Sequence, residues 1–221
     1  MAIKGGGGFC GGYDVEIAKT IADALGKELV IVKTEWDGLI PAVNAGKIDA
    51  VIAGMSPTEE RKFSVDFSDP YYESDLVIVV KADGAYAGAS SLEDFSGAKI
   101  TAQLNTFHDT VVDQIPNVKH VTAMETFPAM IVALNSGKVD GYISERPGAI
   151  SAQEANPGLS FVEFAEGKGF EASPEDVAVA VAMKKGNEAL PDVNAALSLI
   201  SKEQRQELMD SAIANQPVSM D

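Results

Sequence analysis

The chain contains two copies of one short segment, and this repeat constrains the fold more than any other feature. The copies occupy residues 42–52 (AVNAGKIDAVI) and 133–143 (ALNSGKVDGYI), so they lie 91 residues apart. Each copy predicts the end of an amphipathic helix, a glycine stop and a buried strand that runs into a polar loop. The loops at 54–58 and 144–147 therefore follow the carboxyl ends of strands, where open α/β sheets bind ligands. We expect two similar lobes with a ligand-binding cleft between them.

The bulk composition narrows the classes of function. With 221 residues, of which 46% are hydrophobic, the chain has the composition of one large or two small folded domains. The net charge of −16 argues against nucleic acid as a partner, because its phosphates would be repelled. The same charge gives no sign of a basic surface that would bind a membrane. Cys10 is the only cysteine, so no internal disulfide can form.

No arrangement of residues in the sequence indicates catalysis, a metal or a cofactor. His108 and His120 have no partners at the spacing of metal ligands, and the sequence has neither a cysteine cluster nor a phosphate-binding loop. It also has no arrangement that resembles a Ser-His-Asp triad. We therefore expect no catalytic residue, no metal ligand and no cofactor.

The start of the chain bears on where the protein acts. No stretch approaches the ~20 consecutive apolar residues that span a bilayer. Residues 1–4 run directly into four glycines, without the apolar region of a signal peptide. The expectation from these residues is either a cytoplasmic protein or a processed or truncated form of an exported one.

Helical and extended patterns alternate along the chain, which predicts an α/β fold. The predicted helices cover residues 14–25, 37–45, 58–62, 106–114, 126–135, 147–155, 187–200 and 203–213. The predicted strands cover residues 29–33, 48–53, 76–81, 99–102, 118–122, 139–143, 159–164 and 177–183.

Two segments without either pattern, 82–88 and 167–173, are predicted to be boundaries. The β runs 76–81 and 177–183 flank the whole second α/β unit, so we predict that they form two antiparallel hinge strands. The predicted division is a discontinuous first lobe, residues 1–79 with 178–221, and a continuous second lobe, residues 80–177.

A series of motifs in a fixed order resembles one known family. The motifs are residues 12–19 (GYDVEIAK), 36–42 (WDGLIPA), 49–61 (DAVIAGMSPTEER), 67–72 (FSDPYY), 103–106 (QLNT) and 141–145 (GYISE), followed by the closing helix around 203–205. With these motifs the chain resembles the family 3 extracellular solute-binding proteins, the amino-acid receptors of ABC importers. The resemblance implies the type II periplasmic-binding-protein fold, whose two lobes close on the ligand.

One part of the family pattern is not matched. In the family, a first strand with a ligand-contacting loop precedes the Gly-Tyr-Asp helix, and this chain begins after that strand. We expect a truncated form, a misassigned start, or a strand supplied by a second chain, and a monomer if no second chain supplies it. The resemblance implies an extracytoplasmic location, in the periplasm or at the cell surface, for a full-length form with the signal peptide that this chain lacks.

The resemblance assigns three ligand contacts to the first lobe. Arg61 would bind the α-carboxylate of an amino acid, because its planar guanidinium can donate two parallel hydrogen bonds. Gly54 would offer its carbonyl to the ammonium, and Ser56 would offer a hydroxyl or N–H donor. On the residues alone, Arg61 can instead be a solvated charge within the cluster Glu59–Lys62, and Gly54 and Ser56 can simply form a turn.

The second lobe is expected to contact both charged groups of the ligand. Thr106 and Phe107 precede or begin a helix, whose first N–H groups favour the carboxylate. Simple N-capping is the alternative role of Thr106. Glu145 follows the repeated strand and is expected to pair with the ammonium, with a salt bridge to Arg146 as the alternative.

The side chain of the ligand is expected to meet two further residues. Trp36 is the only tryptophan and occupies the stacking position of the family, where a cationic side chain would gain ~0.5–2 kcal/mol. A plain core role is the alternative for Trp36. Gln103 could reach the polar end of the ligand side chain.

The leading interpretation is the substrate-binding component of an ABC importer, which captures a polar or basic L-amino acid and delivers it to the permease subunits in the membrane. Arginine, lysine, histidine, glutamine and others remain open as the ligand. An enzyme of the cyclohexadienyl dehydratase kind is one alternative, with Glu145 as general acid. That role needs a raised pKa, which the nearby Arg146 opposes. The ligand-sensing domain of a receptor or kinase is the other alternative.

Overall fold

The computed structural model describes residues 11–215. The helices are α1 (Tyr13–Ala24), α2 (Leu39–Asn44), α3 (Glu59–Lys62), α4 (Phe107–Val111), α5 (Phe127–Asn135), α6 (Arg146–Ala155), α7 (Pro174–Val177), α8 (Leu190–Ser198) and α9 (Lys202–Ala214). The strands are β1 (Ala50–Val51), β2 (Val65–Phe67), β3 (Tyr72–Glu73), β4 (Leu76–Lys81), β5 (Lys99–Thr101), β6 (Lys119–His120), β7 (Gly141–Glu145), β8 (Leu159–Val162), β9 (Ala178–Val179) and β10 (Ala182–Lys184). In this part of the chain, no helix is both long enough and apolar enough to span a membrane.

The described chain forms two compact units. One unit consists of residues 11–73 and 174–215, and the other is the continuous segment Ser74–Ser173. Close to the two points where the chain passes between the units, β3 pairs antiparallel with β9. The lobe limits drawn from the sequence, 1–79 with 178–221 and 80–177, stay a prediction.

The second unit is built on a mixed sheet whose described strands have the order β6-β5-β7-β4-β8. Strand β5 runs parallel to β6 and β7, whereas β4 runs antiparallel to β7 and β8. The run 76–81 thus forms β4 and pairs on both sides with strands of its own unit. Because both faces of β4 are covered, its residues alternate between two buried clusters, with Leu76, Ile78 and Val80 in one and Val77 and Val79 in the other.

The sheet of the first unit places a late strand between two early ones. Its described strands have the order β1-β10-β2, and β10 runs antiparallel to both neighbours. The run 177–183 is therefore divided, because β9 pairs with β3 while β10 pairs with β1 and β2. Residues from α2, β1, β2 and β10 share one buried cluster, with Leu39, Val43, Val51, Val65 and Ala182 among them.

Both copies of the repeated segment form the helix, glycine turn and strand that the sequence predicts. Gly46 and Gly137 end the two helices with φ of 69° and 74°, a conformation that favours glycine. The N–H groups of Lys47 and Lys138 then donate to the carbonyl five residues earlier, at 3.0 and 2.9 Å. These bonds complete the same C-terminal cap in both copies. Strands β1 and β7 follow, and each delivers the chain to a polar segment.

The strand predicted at residues 29–33 is wrong. Residues 27–35 have no regular secondary structure, and Val30, Ile31 and Val32 are 71%, 41% and 53% exposed. An apolar run becomes a strand only when a neighbouring strand pairs with its backbone groups. None of the described strands pairs with these residues, and the apolar pattern by itself could not reveal this.

Arg205 joins α9 to two other parts of the first unit. Its Nε and Nη2 atoms donate to the carbonyls of Ile200 and Leu197 at 3.2 and 2.7 Å, near the end of α8. Its Nη1 atom donates to the carbonyl of Pro70 at 3.0 Å. Because a guanidinium presents its donors in a fixed plane, one side chain can reach all three carbonyls. Arg205 therefore fixes the segment that leads into Tyr71.

Candidate functional site

The loop that follows β1 is anchored to a buried tyrosine. Gly54 has a φ of 62°, and its N–H donates to Oη of Tyr71 at 3.4 Å. Oη of Tyr71 in turn donates to Oδ1 of Asp14, on α1, at 2.8 Å. Tyr71 is completely buried, and this burial raises the pKa of its phenol well above the usual value, so the hydroxyl keeps its proton. The orientation of the Gly54 peptide is thus set from α1 through Tyr71.

Arg61 is held in place by two contacts within the same unit. It lies in α3, whose N-cap residue Thr58 accepts the N–H of Arg61 at 3.4 Å. Its Nη1 atom donates to the carbonyl of Ser56 at 3.0 Å, and its guanidinium carbon lies 5.2 Å from the ring centroid of Trp36. Burial lowers the pKa of Arg61, but an arginine keeps its charge in proteins. The result is an oriented cation beside the strand-end loop.

The alternative for Arg61 was a solvated charge within the cluster Glu59–Lys62. In the structure it is the neighbouring Lys62 that pairs with the carboxylates there. Its Nζ atom pairs with Glu59 at 3.0 Å and with Glu175 of α7 at 2.5 Å. Arg61 points instead to a backbone carbonyl and an aromatic ring. The two adjacent cations therefore have different surroundings.

Trp36 packs against the core of the first unit and also lies beside Arg61. Its half-buried ring packs against the apolar cluster that contains Leu39 and Val51. The same ring also lies beside the guanidinium of Arg61, at cation–π distance. The stacking of Trp36 on a ligand side chain stays a prediction. Ser56 is only 4% exposed and its carbonyl accepts the bond from Arg61, so its expected contact with a ligand also stays a prediction.

Gln103, Thr106 and Phe107 occupy one short segment of the second unit. Oγ1 of Thr106 donates to the carbonyl of Gln103 at 2.7 Å and makes no side-chain cap to α4, so the simple N-cap alternative is wrong. Nε2 of Gln103 donates to the carbonyl of Glu125 at 3.4 Å. Phe107 begins α4 and packs against His108, with ring centroids 4.6 Å apart. The roles of these three residues toward a ligand stay predictions.

Glu145 ends β7 and has a partner that the sequence did not indicate. Nε2 of His108 lies 3.0 Å from its Oε1, while Nε of Arg146 pairs with Glu163. The alternative salt bridge between Glu145 and Arg146 is therefore wrong. Burial raises the pKa of the Glu145 carboxyl, but the charge of the nearby His108 outweighs this effect, so the net pKa lies below the usual range. Glu145 is thus an anion at neutral pH.

The predicted site residues form one group within each unit. In the first unit, Arg61 contacts both Trp36 and Ser56, and Gly54 begins the same loop. In the second unit, Glu145 lies at the end of β7 next to α4, which Phe107 begins. In the described part of the chain, no group of His, Cys, Asp and Glu side chains is placed to hold a metal ion.

Three supporting residues were missed by the sequence interpretation: Asp14, Tyr71 and His108. Tyr71 lies 57 residues from Asp14 in the chain, and His108 lies 37 residues before Glu145. No short motif encodes such pairs, because each pair forms only when separate elements pack. The one available signal for Tyr71 was its place in the FSDPYY motif, which was used only for the resemblance.

Comparisons with known proteins identify the family of the chain. Residues 3–213 match the bacterial extracellular solute-binding proteins, family 3. The chain is 36% identical over 158 residues to a probable histidine-binding protein of Campylobacter jejuni, a match that covers 71% of this chain and 60% of that protein. It is 30% identical over 193 residues to the ABC transporter arginine-binding protein 1 of Escherichia coli, covering 83% of this chain and 76% of that protein.

A solved structure matches the fold over nearly the whole chain. It is an amino acid ABC transporter substrate-binding protein, AbpA of Streptococcus pneumoniae, bound to L-arginine. The TM-score is 0.81 at 30% identity, and the match covers 97% of this chain and 88% of that chain. The chain therefore belongs to the family 3 bacterial extracellular solute-binding proteins, and the predicted type II periplasmic-binding-protein fold is confirmed.

Proposed function

We propose that this chain is the substrate-binding component of an ABC importer and that it captures a polar or basic L-amino acid. The guanidinium of Arg61 receives the α-carboxylate, to which Thr106 and Phe107 also donate. Ser56 offers a further donor to the ligand. The carboxylate of Glu145 and the carbonyl of Gly54 receive the α-ammonium. Trp36 and Gln103 contact the ligand side chain.

The environment of Arg61 is the observation that carries this proposal. An exposed arginine would be a poor receptor, because much of the binding free energy would be lost in ordering its long side chain. Here the carbonyl of Ser56 and the ring of Trp36 already orient the guanidinium before any ligand binds. A preorganised planar donor of this kind suits a carboxylate, which accepts two parallel hydrogen bonds.

The class of ligand follows from the relatives together with these charges. Relatives named for histidine and arginine binding share 36% and 30% identity with the chain. An α-amino acid carries one anionic and one cationic group, and the site residues offer one cation, Arg61, and one anion, Glu145. We therefore place basic and polar amino acids at the head of the ligand series.

The proposal is one of binding without turnover. A dehydratase-like reaction would require a protonated Glu145 as general acid, with a raised pKa. His108 lowers the pKa of this carboxyl instead. Incubation with prephenate or arogenate is expected to leave both compounds unchanged, as followed by the absorbance of the aromatic product. Appearance of that product would support the enzyme alternative.

Calorimetric titration tests the proposed function directly. L-arginine, L-lysine, L-histidine and L-glutamine form the ligand panel, and at least one of them is expected to bind. Agmatine, which lacks the carboxylate of arginine, and Nα-acetyl-L-arginine, which lacks the ammonium charge, are expected to bind at least about tenfold more weakly than L-arginine. If the chain binds none of the four amino acids, the proposal is wrong.

Two variants with matched controls assign the roles of the charged residues. Arg61→Lys is expected to weaken binding by about tenfold or more, because an ammonium cannot replace a planar bidentate donor. Its control is Lys62→Gln, which changes the adjacent, more exposed cation. Glu145→Gln is expected to weaken binding similarly, with Glu163→Gln as its control. Equal effects of a variant and its control would contradict the assigned role.

Delivery to a permease and a location outside the cytoplasm belong to the same proposal. The matching family consists of extracellular proteins, and relatives such as the Escherichia coli protein are ABC transporter components. The expected partner is therefore the membrane part of an importer. With that importer reconstituted in vesicles, the ligand-loaded chain is expected to raise ATP hydrolysis, and Arg61→Lys at the same ligand concentration is expected to raise it less.

A further inference from the structure

His108 is a buried imidazole beside the one carboxylate to which we assign the ligand ammonium. Its side chain is 5% exposed, and its Nε2 atom lies 3.0 Å from Oε1 of Glu145. The ring packs against Phe107 at 4.6 Å between centroids. Within the described residues, neither ring nitrogen of His108 has a well-aligned hydrogen-bond partner. The contact with Glu145 is therefore governed by charge and distance, and it responds to the protonation of the ring.

The two protonation states of His108 act differently on Glu145. A neutral ring that carries its proton on Nε2 places a hydrogen-bond donor beside the carboxylate and leaves the negative charge of the pair intact. A protonated ring adds a full positive charge at ion-pair distance, so the pair as a whole becomes neutral. A ligand ammonium is attracted by the first arrangement and gains much less from the second.

The other titratable groups on the elements around His108 do not take over this role. On α4 and the turn Val112–Gln114, Asp109 and Asp113 contact the ring of His120 at 2.8 and 2.9 Å. On β7, burial raises the pKa of Tyr142, so its phenol stays neutral. Arg146, which follows β7, pairs with Glu163. His108 is the side chain whose charge acts on the Glu145 carboxyl.

We propose that His108 is a positioning residue for ligand capture: when neutral it holds the Glu145 carboxylate ready for an ammonium, and when protonated it competes with that ammonium. This inference rests on the proposed function and goes beyond it. It predicts weaker binding when the ring is protonated, and it requires that ligand binding and protonation of His108 oppose each other.

The pairing itself is tested first without any ligand. The chain has two histidines, His108 and His120, so the imidazole signals in the NMR spectrum are assigned with the single variant His120→Gln. Glu145→Gln is expected to shift the His108 signals, because the anion beside the ring is lost. Glu163→Gln, which changes a carboxylate paired with Arg146, is the control and is expected to leave those signals in place. Unchanged His108 signals in Glu145→Gln would overturn the inference at this stage.

Calorimetry then measures affinity at about pH 7 and about pH 5, using whichever of L-arginine, L-lysine and L-glutamine binds most tightly. These ligands largely keep the charges of their α-groups over this range, so a change in affinity reports on the protein. Wild type is expected to bind about tenfold more weakly at the lower pH. His108→Gln places an amide donor near the Nε2 position but does not titrate. It is expected to lose most of the pH dependence, whatever its affinity at the higher pH.

The outcomes separate this inference from the proposed function. If wild type binds with the same affinity at both pH values, or if His108→Gln keeps the wild-type pH profile, the inference is wrong while the binding function stands. If wild type binds no member of the panel at either pH, the proposed function fails and the inference fails with it. His108→Phe, which removes the polar atoms but keeps a ring, is expected to weaken binding at both pH values. Binding of His108→Phe with wild-type affinity at both would overturn the inference.

Discussion

The hydroxyl of Tyr71 accepts the N–H of Gly54 and donates to Asp14, so one buried oxygen links a helix to the loop that we assign to the ligand. A second tyrosine supports this arrangement, because Oη of Tyr13 donates to the carbonyl of Tyr71 at 2.8 Å. The loop is thus anchored by backbone and side chain of the same residue. This makes Tyr71 important for affinity even though no ligand role is assigned to it.

Tyr71→Phe is expected to reduce both stability and affinity. The change removes one oxygen and leaves the N–H of Gly54 and the carboxylate of Asp14 without this partner, at a cost of roughly 1–3 kcal/mol in unfolding free energy. Ligand binding is expected to weaken because the Gly54 peptide is released. Urea denaturation and calorimetry measure the two effects. Tyr86→Phe, which removes a hydroxyl in the other unit, is the control and is expected to change neither. Unaltered stability in Tyr71→Phe would contradict the described link.

Arg205→Lys is expected to destabilise the first unit by about 2 kcal/mol. A lysine ammonium on a flexible stem cannot reach the carbonyls of Leu197, Ile200 and Pro70 at once, as the planar guanidinium does. The charge is preserved, so the loss reports on geometry. Thermal unfolding measures the effect, and Lys202→Gln, on the exposed face of the same helix, serves as the comparison. A melting temperature equal to wild type would show that the three bonds contribute little.

His120 is expected to make stability fall as pH rises. Partial burial lowers its pKa, but the carboxylates of Asp109 and Asp113 outweigh this, so the net pKa is raised above 6.5. A raised folded-state pKa stabilises the fold fully below about pH 6.5, and this contribution disappears as pH rises through the folded-state value. The difference in unfolding free energy between wild type and His120→Gln should therefore shrink between about pH 6 and about pH 8.

The comparison with His120→Gln cancels the titration of His108, which both proteins contain. As a direct check, the NMR titration midpoint of His120 should lie above 6.5 and should fall in Asp109→Asn. A difference in unfolding free energy that stays constant with pH would show that the two carboxylates do not act on the ring.

Gly141→Ala is expected to destabilise the second unit by about 1–3 kcal/mol. A Cβ atom at this position would lie 2.8 Å from Cγ2 of Ile78 and 3.0 Å from the carbonyl oxygen of Val79, both on the adjacent strand β4. Gly88→Ala is the matched control, because a Cβ atom there meets no atom within 4 Å. Denaturant unfolding should place Gly88→Ala near wild type and Gly141→Ala clearly below it. The reverse order would contradict the packing of β7 on β4.

The two repeat copies differ at the place of Gly141. Ala50 occupies the equivalent place in the first copy, where β1 pairs antiparallel with β10, as β7 pairs antiparallel with β4. The repeat was therefore a sound guide to the helix, the glycine turn and the strand, which depend on local sequence. It could not indicate which strands become neighbours, because that depends on the rest of each unit.

The same distinction explains which strands could be predicted from the sequence. Strands β4, β5, β7 and β8 were predicted to within two residues, because each contains apolar residues that are buried in the core of the second unit. The apolar run 29–33 looks the same in sequence but has no described pairing partner, so it forms no strand. An apolar run indicates that a segment tends to be buried. The segment becomes a strand only when a neighbouring strand is present to pair with it.

For the candidate site, the sequence identified residue types and the structure supplied their contacts. Arg61 and Glu145 were chosen through motifs that follow the two repeated strands. Their immediate partners, Trp36 and His108, lie 25 and 37 residues away in the chain and approach them only through packing. Arg146 was considered as the alternative partner of Glu145 because it is adjacent in sequence. Adjacency misled there, because neighbouring residues at the start of a helix point in different directions.

The position of β10 between β1 and β2 has a consequence for synthesis on the ribosome. The first unit cannot complete its sheet until residues 182–184 have emerged, well after its own first half. The second unit is continuous and can close earlier, so the usual order of domain folding, from the N-terminus onward, is reversed here. Until then, β1 and β2 lack the strand that separates them, and their unpaired edges are exposed to other nascent chains. A chaperone that shields the first half during this interval would protect these edges.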